Sequence, residues 1–358
     1  MMVKDLCFEI IEACPNNCNF CSSSSCIDKK QIISFEDFKR VIDYFMDEGG
    51  IKELSLSGGE PFLHPDIFKM VEYAKSKDIM VVIFTSGIKR STPKSKELIA
   101  YYNAEMDKIL AEIEEHEPWN DRLKNNLKRY YERAMTTPNF SPISKEELIK
   151  LKELGLDKIV FDYQAYEQET DAYLMGRNQE SHNNLLDSMM NASLVGLKTD
   201  IHFIPMKPNY KEIQDILEML EIAKINNISI LNFVPQGRGL INAKQLMLSK
   251  EELEEFMKIL EKGRNLYSGT IRIGIPLMGN NTHKCNAGLE KLDIKFDGTI
   301  LPCPAFKELD EETMRKYGIK QYSIYSNLEE VKTLGGKRVE PLCQKVYSKI
   351  RSEYSENN

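Results

Sequence analysis

Three cysteines near the start of the sequence constrain this chain more than any other feature. Cys14, Cys18 and Cys21 are spaced as Cys-x3-Cys-x2-Cys, and they follow an apolar run, Leu6–Ile11, that predicts a β-strand. Iron–sulfur clusters are usually held by four cysteines, so three cysteines on one loop leave one iron without a protein ligand. The motif therefore predicts a metal cluster whose free iron can hold a small molecule.

A structural zinc site is the alternative interpretation of these cysteines. Zinc usually takes four ligands, and cysteines commonly supply them in Cys-x2-4-Cys pairs. Cys26 follows Cys21 at a spacing that would complete such a set. A zinc site would not, however, explain the glycine-rich motif that follows the next apolar run.

That motif is Ser-Gly-Gly-Glu-Pro at residues 57–61, and an aromatic residue, Phe20, precedes the third cysteine. Together these features resemble the radical S-adenosylmethionine (radical SAM) superfamily. The resemblance implies that the cysteine loop holds a [4Fe-4S] cluster. It also implies that the open iron of this cluster chelates the amino and carboxylate groups of the methionine part of SAM.

Composition is that of a globular protein and excludes several other classes. The chain has 358 residues, 42% of them hydrophobic and 29% charged. No run approaches the ~20 apolar residues of a membrane span, and no signal-peptide pattern opens the sequence. Eight cysteines, some at metal-ligand spacing, favour a reducing cytoplasm. A net charge of -7 disfavours nucleic acid as a partner.

Strand-like runs alternate with helical patterns from residue 5 to about 240, which predicts an α/β fold with a parallel sheet. One predicted helix begins at Ser34 and another at Ser144, both N-cap residues. The six predicted strands are 6–12, 53–57, 80–85, 158–163, 198–204 and 229–234. By resemblance, residues 1–240 form the partial (β/α)6 barrel of radical SAM enzymes, with ligands at the carboxyl ends of its strands.

An insertion at about residues 90–143 interrupts this pattern. It predicts a hairpin of two helices, roughly Ser95–Glu115 and Asn120–Met135, with charges of both signs along them. Such alternation is typical of a solvated helix pair. Its aromatic residues could pack the hairpin onto the barrel or line a substrate lid: Tyr101, Tyr102, Trp119, Tyr130 and Tyr131.

Further positions of the SAM pocket follow from the resemblance. Gly58 and Gly59 would let the backbone approach a ligand, where a Cβ atom would clash. The resemblance implies that Glu60 contacts the SAM amino group. The resemblance implies that the hydroxyls of Thr85 and Ser86, at the end of the third strand, contact SAM. It also implies that Gln164 binds the ribose and that Arg177 binds the carboxylate. Phe233 and Val234 would form an apolar wall for the adenine. Substrate-side candidates are Gln236 and Arg238, and His202 is either a core residue or a polar group facing the barrel interior.

A second cysteine set lies in the last third of the chain. Cys285 and Cys303 flank an Asp297-Gly298 hairpin signal in the form Cys-x12-Gly-x4-Cys, and Cys343 follows. This resembles the start of SPASM and twitch domains, and it implies a small α+β domain at 241–358 with a second [4Fe-4S] cluster. The later SPASM cysteines are missing. The fourth ligand could be Cys26, Cys7, His283, water or the substrate; alternatively, the three thiols are buried without metal.

The resemblance implies reductive cleavage of SAM to a 5′-deoxyadenosyl radical, with a one-electron donor such as flavodoxin or ferredoxin. The favoured substrate is a peptide, modified by cross-linking, thioether formation, epimerisation or oxidation, and Cys26 is a candidate hydrogen-atom donor or ligand. The cluster motif begins at residue 14, so a leader-binding module is expected to be a separate protein. The alternatives are a sugar, nucleoside or purine-derived substrate, or a non-catalytic iron–sulfur scaffold or electron carrier.

Overall fold

The computed structural model describes residues 3–90, 96–136, 140–273, 286–333, 343 and 346–347. The chain divides into two compact units, one formed by residues 1–89 and 142–358 and the other by residues 90–141. The predicted α/β class with a parallel sheet is confirmed.

Twelve strands are present in the described part of the chain. In chain order they are β1 (Asp5–Ile11), β2 (Glu53–Gly58), β3 (Met80–Thr85), β4 (Ile88–Arg90), β5 (Phe140–Pro142), β6 (Lys158–Asp162), β7 (Thr199–Phe203), β8 (Asn227–Ile230), β9 (Thr270–Ile273), β10 (Lys291–Ile294), β11 (Thr299–Leu301) and β12 (Tyr322–Ser323).

Ten of these strands form one sheet in the order β12-β11-β10-β1-β2-β3-β6-β7-β8-β9. All neighbours from β10 to β9 are parallel, while β11 and β12 are antiparallel additions at one edge. The six predicted strands correspond to β1, β2, β3, β6, β7 and β8. The predicted hairpin is formed by β10 and β11, and Gly298 supplies the positive φ of its turn.

Two features of the sheet differ from the sequence prediction. The sixth strand ends at Ile230 rather than at residue 234, so the segment that follows is free to turn toward the cysteine loop. The sheet also continues past the predicted barrel strands. β10 pairs in parallel with β1, with Asp5 opposite Lys291 and Phe8 opposite Ile294, although the two strands lie far apart in the sequence.

Twelve helices connect and flank these strands in the described residues. They are α1 (Phe35–Asp47), α2 (Ile67–Ser76), α3 (Lys96–His116), α4 (Asp121–Thr136), α5 (Lys145–Glu153), α6 (Gln168–Met175), α7 (Gln179–Leu194), α8 (Ile213–Ile222), α9 (Arg238–Ile241), α10 (Ala243–Leu246), α11 (Lys250–Gly263) and α12 (Glu311–Tyr317). Ser34 and Ser144 are the N-caps predicted for α1 and α5. In the part of the chain that the structure describes, none of the helices combines the length and the hydropathy that a bilayer span requires.

The sheet has one apolar and one polar face, because successive side chains of a strand point to opposite sides. On the apolar face, Leu6, Phe8 and Ile10 of β1 are fully buried and belong to the main hydrophobic core with residues of the flanking helices. The opposite face carries polar and charged side chains from six strands: Cys7, Glu9, Ser55, Asp162, Asp200, His202, Ser229 and Asp293. The polar face therefore carries the side chains that could take part in binding or catalysis.

The unit of residues 90–141 contains the two predicted helices, α3 and α4. The rings of Tyr102 and Tyr131 meet edge to face, and Lys124 bonds the Pro118 carbonyl at 2.7 Å and the Glu114 carboxylate. The α3 helix buries none of its described residues, and Trp119 is 76% exposed. A lid role for these aromatic residues stays a prediction.

Candidate functional site

The cysteine motif lies on the long loop between β1 and α1, at the carboxyl end of β1. Cys14 and Cys18 are buried and Cys21 is partly buried. Burial raises the pKa of the Cys18 thiol well above its usual value, and the neighbouring Cys14, Cys21 and Asp162 add to this effect. The Cys18 thiol therefore lies close to the other two cysteines, and a bound metal would favour its ionised form.

The thiols do not converge as ligands of a single ion would. Within the described ranges, no group of three His, Cys, Asp or Glu side chains is arranged to hold one metal ion. A cubane cluster is different, because each cysteine ligand binds a separate iron atom and the sulfurs stay apart. The arrangement of the thiols is therefore compatible with a cluster.

Helix α6 holds the cysteine loop from one side. The backbone N–H groups of Asn17 and Asn19 donate to the carbonyls of Met175 and Leu174, at 3.1 and 2.8 Å. Gly176 ends the helix with a positive φ, and a Cβ atom there would lie 2.5 Å from the Asn17 carbonyl oxygen. These contacts fix one side of the loop against the end of α6.

The segment after β8 holds the same loop from the other side. Arg238 donates from Nε to the Cys18 carbonyl at 2.7 Å and from Nη2 to the Ser25 carbonyl at 2.8 Å. Its backbone N–H donates to the Cys21 carbonyl, and Asn242 Nδ2 donates to the Asn19 carbonyl at 2.9 Å. Arg238 thus contacts the cysteine loop, and its contact with a substrate stays a prediction.

Gln236, the other predicted substrate-side residue, forms hydrogen bonds within the protein. Its side chain donates to the Pro304 carbonyl at 3.2 Å and accepts from the Glu308 backbone N–H at 3.3 Å. Gln236 is 3% exposed. The amide nitrogen and the amide oxygen of Gln236 therefore both form hydrogen bonds to the segment that follows Cys303.

The two glycines of the Gly-Gly-Glu motif pack against the start of the cysteine loop. A Cβ atom on Gly58 would lie 2.3 Å from the Ile11 carbonyl oxygen, and one on Gly59 would lie 2.1 Å from that of Ala13. The Gly59 and Glu60 N–H groups donate to these same carbonyls at 2.6 and 2.8 Å. The glycines are thus required for close packing of backbone on backbone, whereas the sequence suggested close approach to a ligand.

Glu60, Thr85 and Ser86 are brought together, as their shared assignment to one pocket predicts. Glu60 is fully buried and accepts hydrogen bonds from Thr85 Oγ1 at 2.7 Å, from Ser86 N at 2.7 Å and Oγ at 2.5 Å, and from Phe62 N at 3.0 Å. Burial raises the pKa of the carboxyl, and the hydrogen bonds oppose this shift. The carboxylate ties the end of β2 to the end of β3.

Arg177 lies in a buried ion pair beside the cysteine loop. Its Nε and Nη2 donate to the two Asp171 carboxylate oxygens at 2.6 Å each, and His182 Nδ1 lies 3.3 Å from the same carboxylate. Nη1 is buried and has no hydrogen-bond partner among the described residues. The guanidinium also counters the rise in the pKa of Cys18. One donor is therefore left for an anionic ligand near the loop.

Asp162 is the last residue of β6, and Gln164 follows two residues later; their side chains have different surroundings. The Gln164 amide is fully buried and used within the protein: Nε2 donates to Asp162 and to the His202 carbonyl, and Oε1 accepts from Ile204 N at 2.9 Å. Asp162 is only partly buried, and burial raises its pKa to about 6, with Gln164 and Arg177 opposing. Sequence reasoning missed Asp162. The signal was present, since Asp162 is the last polar-face residue of a strand whose carboxyl end faces the cysteine loop.

Three further residues singled out in the sequence, Phe233, Val234 and His202, lie in three different environments. Phe233 packs with Cys18, Phe20 and Met175 in a small apolar cluster, whereas Val234 packs against a different cluster around Phe306. His202 is on the polar face, not in the apolar core. Burial, then the charges of Arg272, Lys158 and Lys291, lower its pKa to about 3, so its imidazole is neutral.

The second cysteine set is described in part. Cys285 and His283 lie outside the described residues. Cys303 and Cys343 share a small cluster with Phe306 and Tyr347. Burial raises the pKa of Cys303 to about 12; Cys343 adds to the rise and Lys291 opposes it. Cys26 lies on the first loop, where its carbonyl accepts from Cys14 N at 3.2 Å.

A buried charge cluster on β1 and β10 was not predicted. Lys307 Nζ donates to the Glu9 carboxylate and lies 3.4 Å from Ser23 Oγ in the cysteine loop. Asp293 is fully buried beside Cys7, and neither of its oxygens has a nitrogen or oxygen donor in the described part of the chain. Burial and Glu9 raise the pKa of Asp293 to about 7 against the influence of Lys307. These groups connect the loop after Cys303 to the first cysteine loop.

Part of the chain is similar to a known protein family. Residues 8–103 match the family model of the radical SAM superfamily. The PqqA peptide cyclase of Bradyrhizobium diazoefficiens is 20% identical over 316 residues, which cover 86% of this chain and 69% of that protein. The GTP 3',8-cyclase of Sulfurimonas denitrificans is 22% identical over 325 residues, which cover 86% of this chain and 82% of that protein.

A solved structure extends the likeness to nearly the whole chain. SuiB of Streptococcus suis, bound to the precursor peptide SuiA, aligns with a TM-score of 0.65 and 16% identity. The alignment covers 98% of this chain and 67% of SuiB. At this identity the likeness concerns the fold alone.

Proposed function

We propose that this chain is a radical SAM enzyme that uses SAM and a [4Fe-4S] cluster and modifies a peptide, since residues 8–103 match the family model of the radical SAM superfamily. The observation that supports this substrate class is the alignment of 86% of the chain with a PqqA peptide cyclase. The shared fold with SuiB, a protein solved with its precursor peptide, is consistent with it. The modification is of the cross-linking, thioether, epimerising or oxidising kind.

Cys14, Cys18 and Cys21 are proposed to hold the cluster. When bound, the cluster and SAM supply a carbon-centred radical able to take hydrogen from an unactivated carbon. The described residues fit this group. Asn16, between two of the cysteines, is buried with both side-chain polar atoms unpaired within the described chain, so the loop has hydrogen-bonding groups that await a ligand.

Arg177 is proposed to bind the SAM carboxylate through its unpaired Nη1, because a guanidinium pairs well with a carboxylate. Asp162 takes the ribose position that the sequence assigned to Gln164, since the Gln164 amide is used internally. Phe20 and Phe233 offer the apolar surface for adenine. Glu60 acts by keeping Thr85 and Ser86 in place next to the glycine pair.

A second [4Fe-4S] cluster at Cys285, Cys303 and Cys343 remains part of the proposal, with Cys26 or Cys7 as a fourth ligand or Cys26 as a hydrogen-atom donor. A flavodoxin or ferredoxin would deliver the electron, and a separate protein could bind the leader of the peptide. The proximity of Cys303 and Cys343 supports a shared metal.

Iron counting tests the ligand assignments. Anaerobically reconstituted protein should hold about eight irons per chain if both clusters are present, and changing Cys14, Cys18 and Cys21 to Ala should remove about half of them. Cys303→Ala should keep slow SAM cleavage but lose substrate conversion. About four irons in the intact protein, with none lost when Cys303 and Cys343 are changed, would exclude the second cluster.

The substrate class is tested by the effect of candidate substrates on SAM cleavage. We expect a short peptide encoded beside the gene to increase 5′-deoxyadenosine formation and to lose hydrogen itself in the same reaction. A nucleotide is the second candidate, favoured by the alignment with 82% of a GTP 3',8-cyclase. Stimulation by GTP with no response to the peptide would reject the peptide proposal. Cys18→Ala is the control that should be inactive with both.

A further inference from the structure

We propose that Arg238 sets the reduction potential of the SAM-binding cluster by placing a fixed positive charge against the cysteine loop. The inference rests on Cys14, Cys18 and Cys21 being the ligands, as proposed above. Arg238 was not among the residues expected to touch this loop. It lies 220 residues from Cys18 in sequence, and only the turn after β8 brings it there.

Arg238 makes three hydrogen bonds to the loop, two from its guanidinium and one from its backbone N–H. Nε and Nη2 reach the Cys18 and Ser25 carbonyls, and the Arg238 backbone N–H reaches the Cys21 carbonyl. Two of these carbonyls belong to ligand residues. Gly237 permits this contact, since a Cβ atom there would lie 2.7 Å from the Cys21 carbonyl oxygen. The charge is therefore held at a constant position relative to the ligands.

No carboxylate neutralises this charge directly. In the described ranges Arg238 forms no ion pair, whereas Arg177, the other arginine near the loop, is paired with Asp171. The charge of Arg238 thus lies against the backbone of two proposed cluster ligands, Cys18 and Cys21.

A positive charge at this position favours the reduced cluster. Three thiolates outweigh the charge of an oxidised cubane core, so the centre is anionic and an added electron makes it more so. A low-potential one-electron donor supplies that electron, and no bond or proton is involved. The attraction between Arg238 and the centre grows on reduction, because Coulomb energy scales with the product of the charges.

The test is an EPR-monitored redox titration of anaerobically reconstituted protein, with dithionite as the reductant. The cluster followed is the one whose reduced spectrum responds to SAM in a parallel sample. In Arg238→Gln, the ratio of reduced to oxidised cluster at a given potential should fall about tenfold, which corresponds to about 59 mV for a one-electron couple. Arg238→Lys keeps the charge and should keep the wild-type potential.

Asn242→Ala is the matched control, because Asn242 holds the same loop at Asn19 without a charge. It should leave the potential unchanged. An unshifted Arg238→Gln variant, or an equal shift in Asn242→Ala, would overturn the proposal. If Arg238→Gln does not retain the cluster, Arg238→Lys decides alone: a wild-type potential supports the proposal, and a shifted potential or a lost cluster rejects it. A SAM-responsive signal that persists in Cys18→Ala would instead refute the ligand assignment.

Discussion

Lys307 should be among the most destabilising positions to substitute outside the apolar core. Its side chain is 8% exposed and pairs with Glu9, whose side chain is 1% exposed, with Asp293 buried next to them. In Lys307→Met, the stem is replaced by an apolar chain of similar length, but Glu9 and Asp293 remain as buried carboxyl groups without a cation. Removing one member of a buried pair costs about 3–5 kcal/mol, and we expect a loss in this range.

The assay is urea unfolding of the metal-free protein, followed by far-UV circular dichroism. Fluorescence is unsuitable, because the chain has one tryptophan, Trp119, and it is exposed in the unit of residues 90–141. With a slope of about 3 kcal/mol per molar urea, the midpoint should fall by roughly 1–2 M. In the double variant Glu9→Gln with Lys307→Met the loss should be smaller than the sum of the two single losses, since the pair is removed together.

The penalty should depend on pH in a defined direction. Asp293 faces Lys307, Glu9, Cys7 and Lys291, and its folded pKa of about 7 lies above the unfolded value of about 4. The folded state therefore binds this proton more tightly, so the contribution to stability is complete below pH ~4 and is lost as pH rises through about 7. Lys307→Met should accordingly be less harmful at pH 5 than at pH 8. Additive losses in the double variant, with no pH dependence, would refute the buried-cluster reasoning.

Two other predictions concern the SAM site. Gly59→Ala should lose at least half of its iron on reconstitution, because the new methyl group would meet the Ala13 carbonyl oxygen at 2.1 Å, whereas Gly263→Ala, which meets only the tip of the Leu217 side chain, should load normally. Asp171→Asn should weaken SAM binding at least tenfold in equilibrium dialysis, because Arg177 loses the carboxylate that orients it. Unchanged affinity in that variant would mean that Arg177 does not bind SAM.

Much of the site was predictable because its signals are local. The cysteine spacing, the Gly-Gly-Glu motif and the apolar runs before them identified the loops at the carboxyl ends of β1 and β2, and residues 8–103 match the family model of the radical SAM superfamily. The Ser34 and Ser144 caps predicted helix starts correctly, since a cap depends on residues within one turn. The shared location of Glu60, Thr85 and Ser86 followed from parallel strands ending at one edge.

The sequence by itself therefore determined the fold class, the order of the six predicted parallel strands and the loop that carries the cysteines. Only the tertiary structure decided which side chains meet. Lys307 reaches Glu9 across 298 residues, β10 pairs with β1, and the early end of β8 lets Arg238 reach the cysteine loop. The physical reason is that periodicity and capping act between near neighbours. The partner of a buried charge depends instead on the register of strands that are distant in sequence and on how far a side chain can reach.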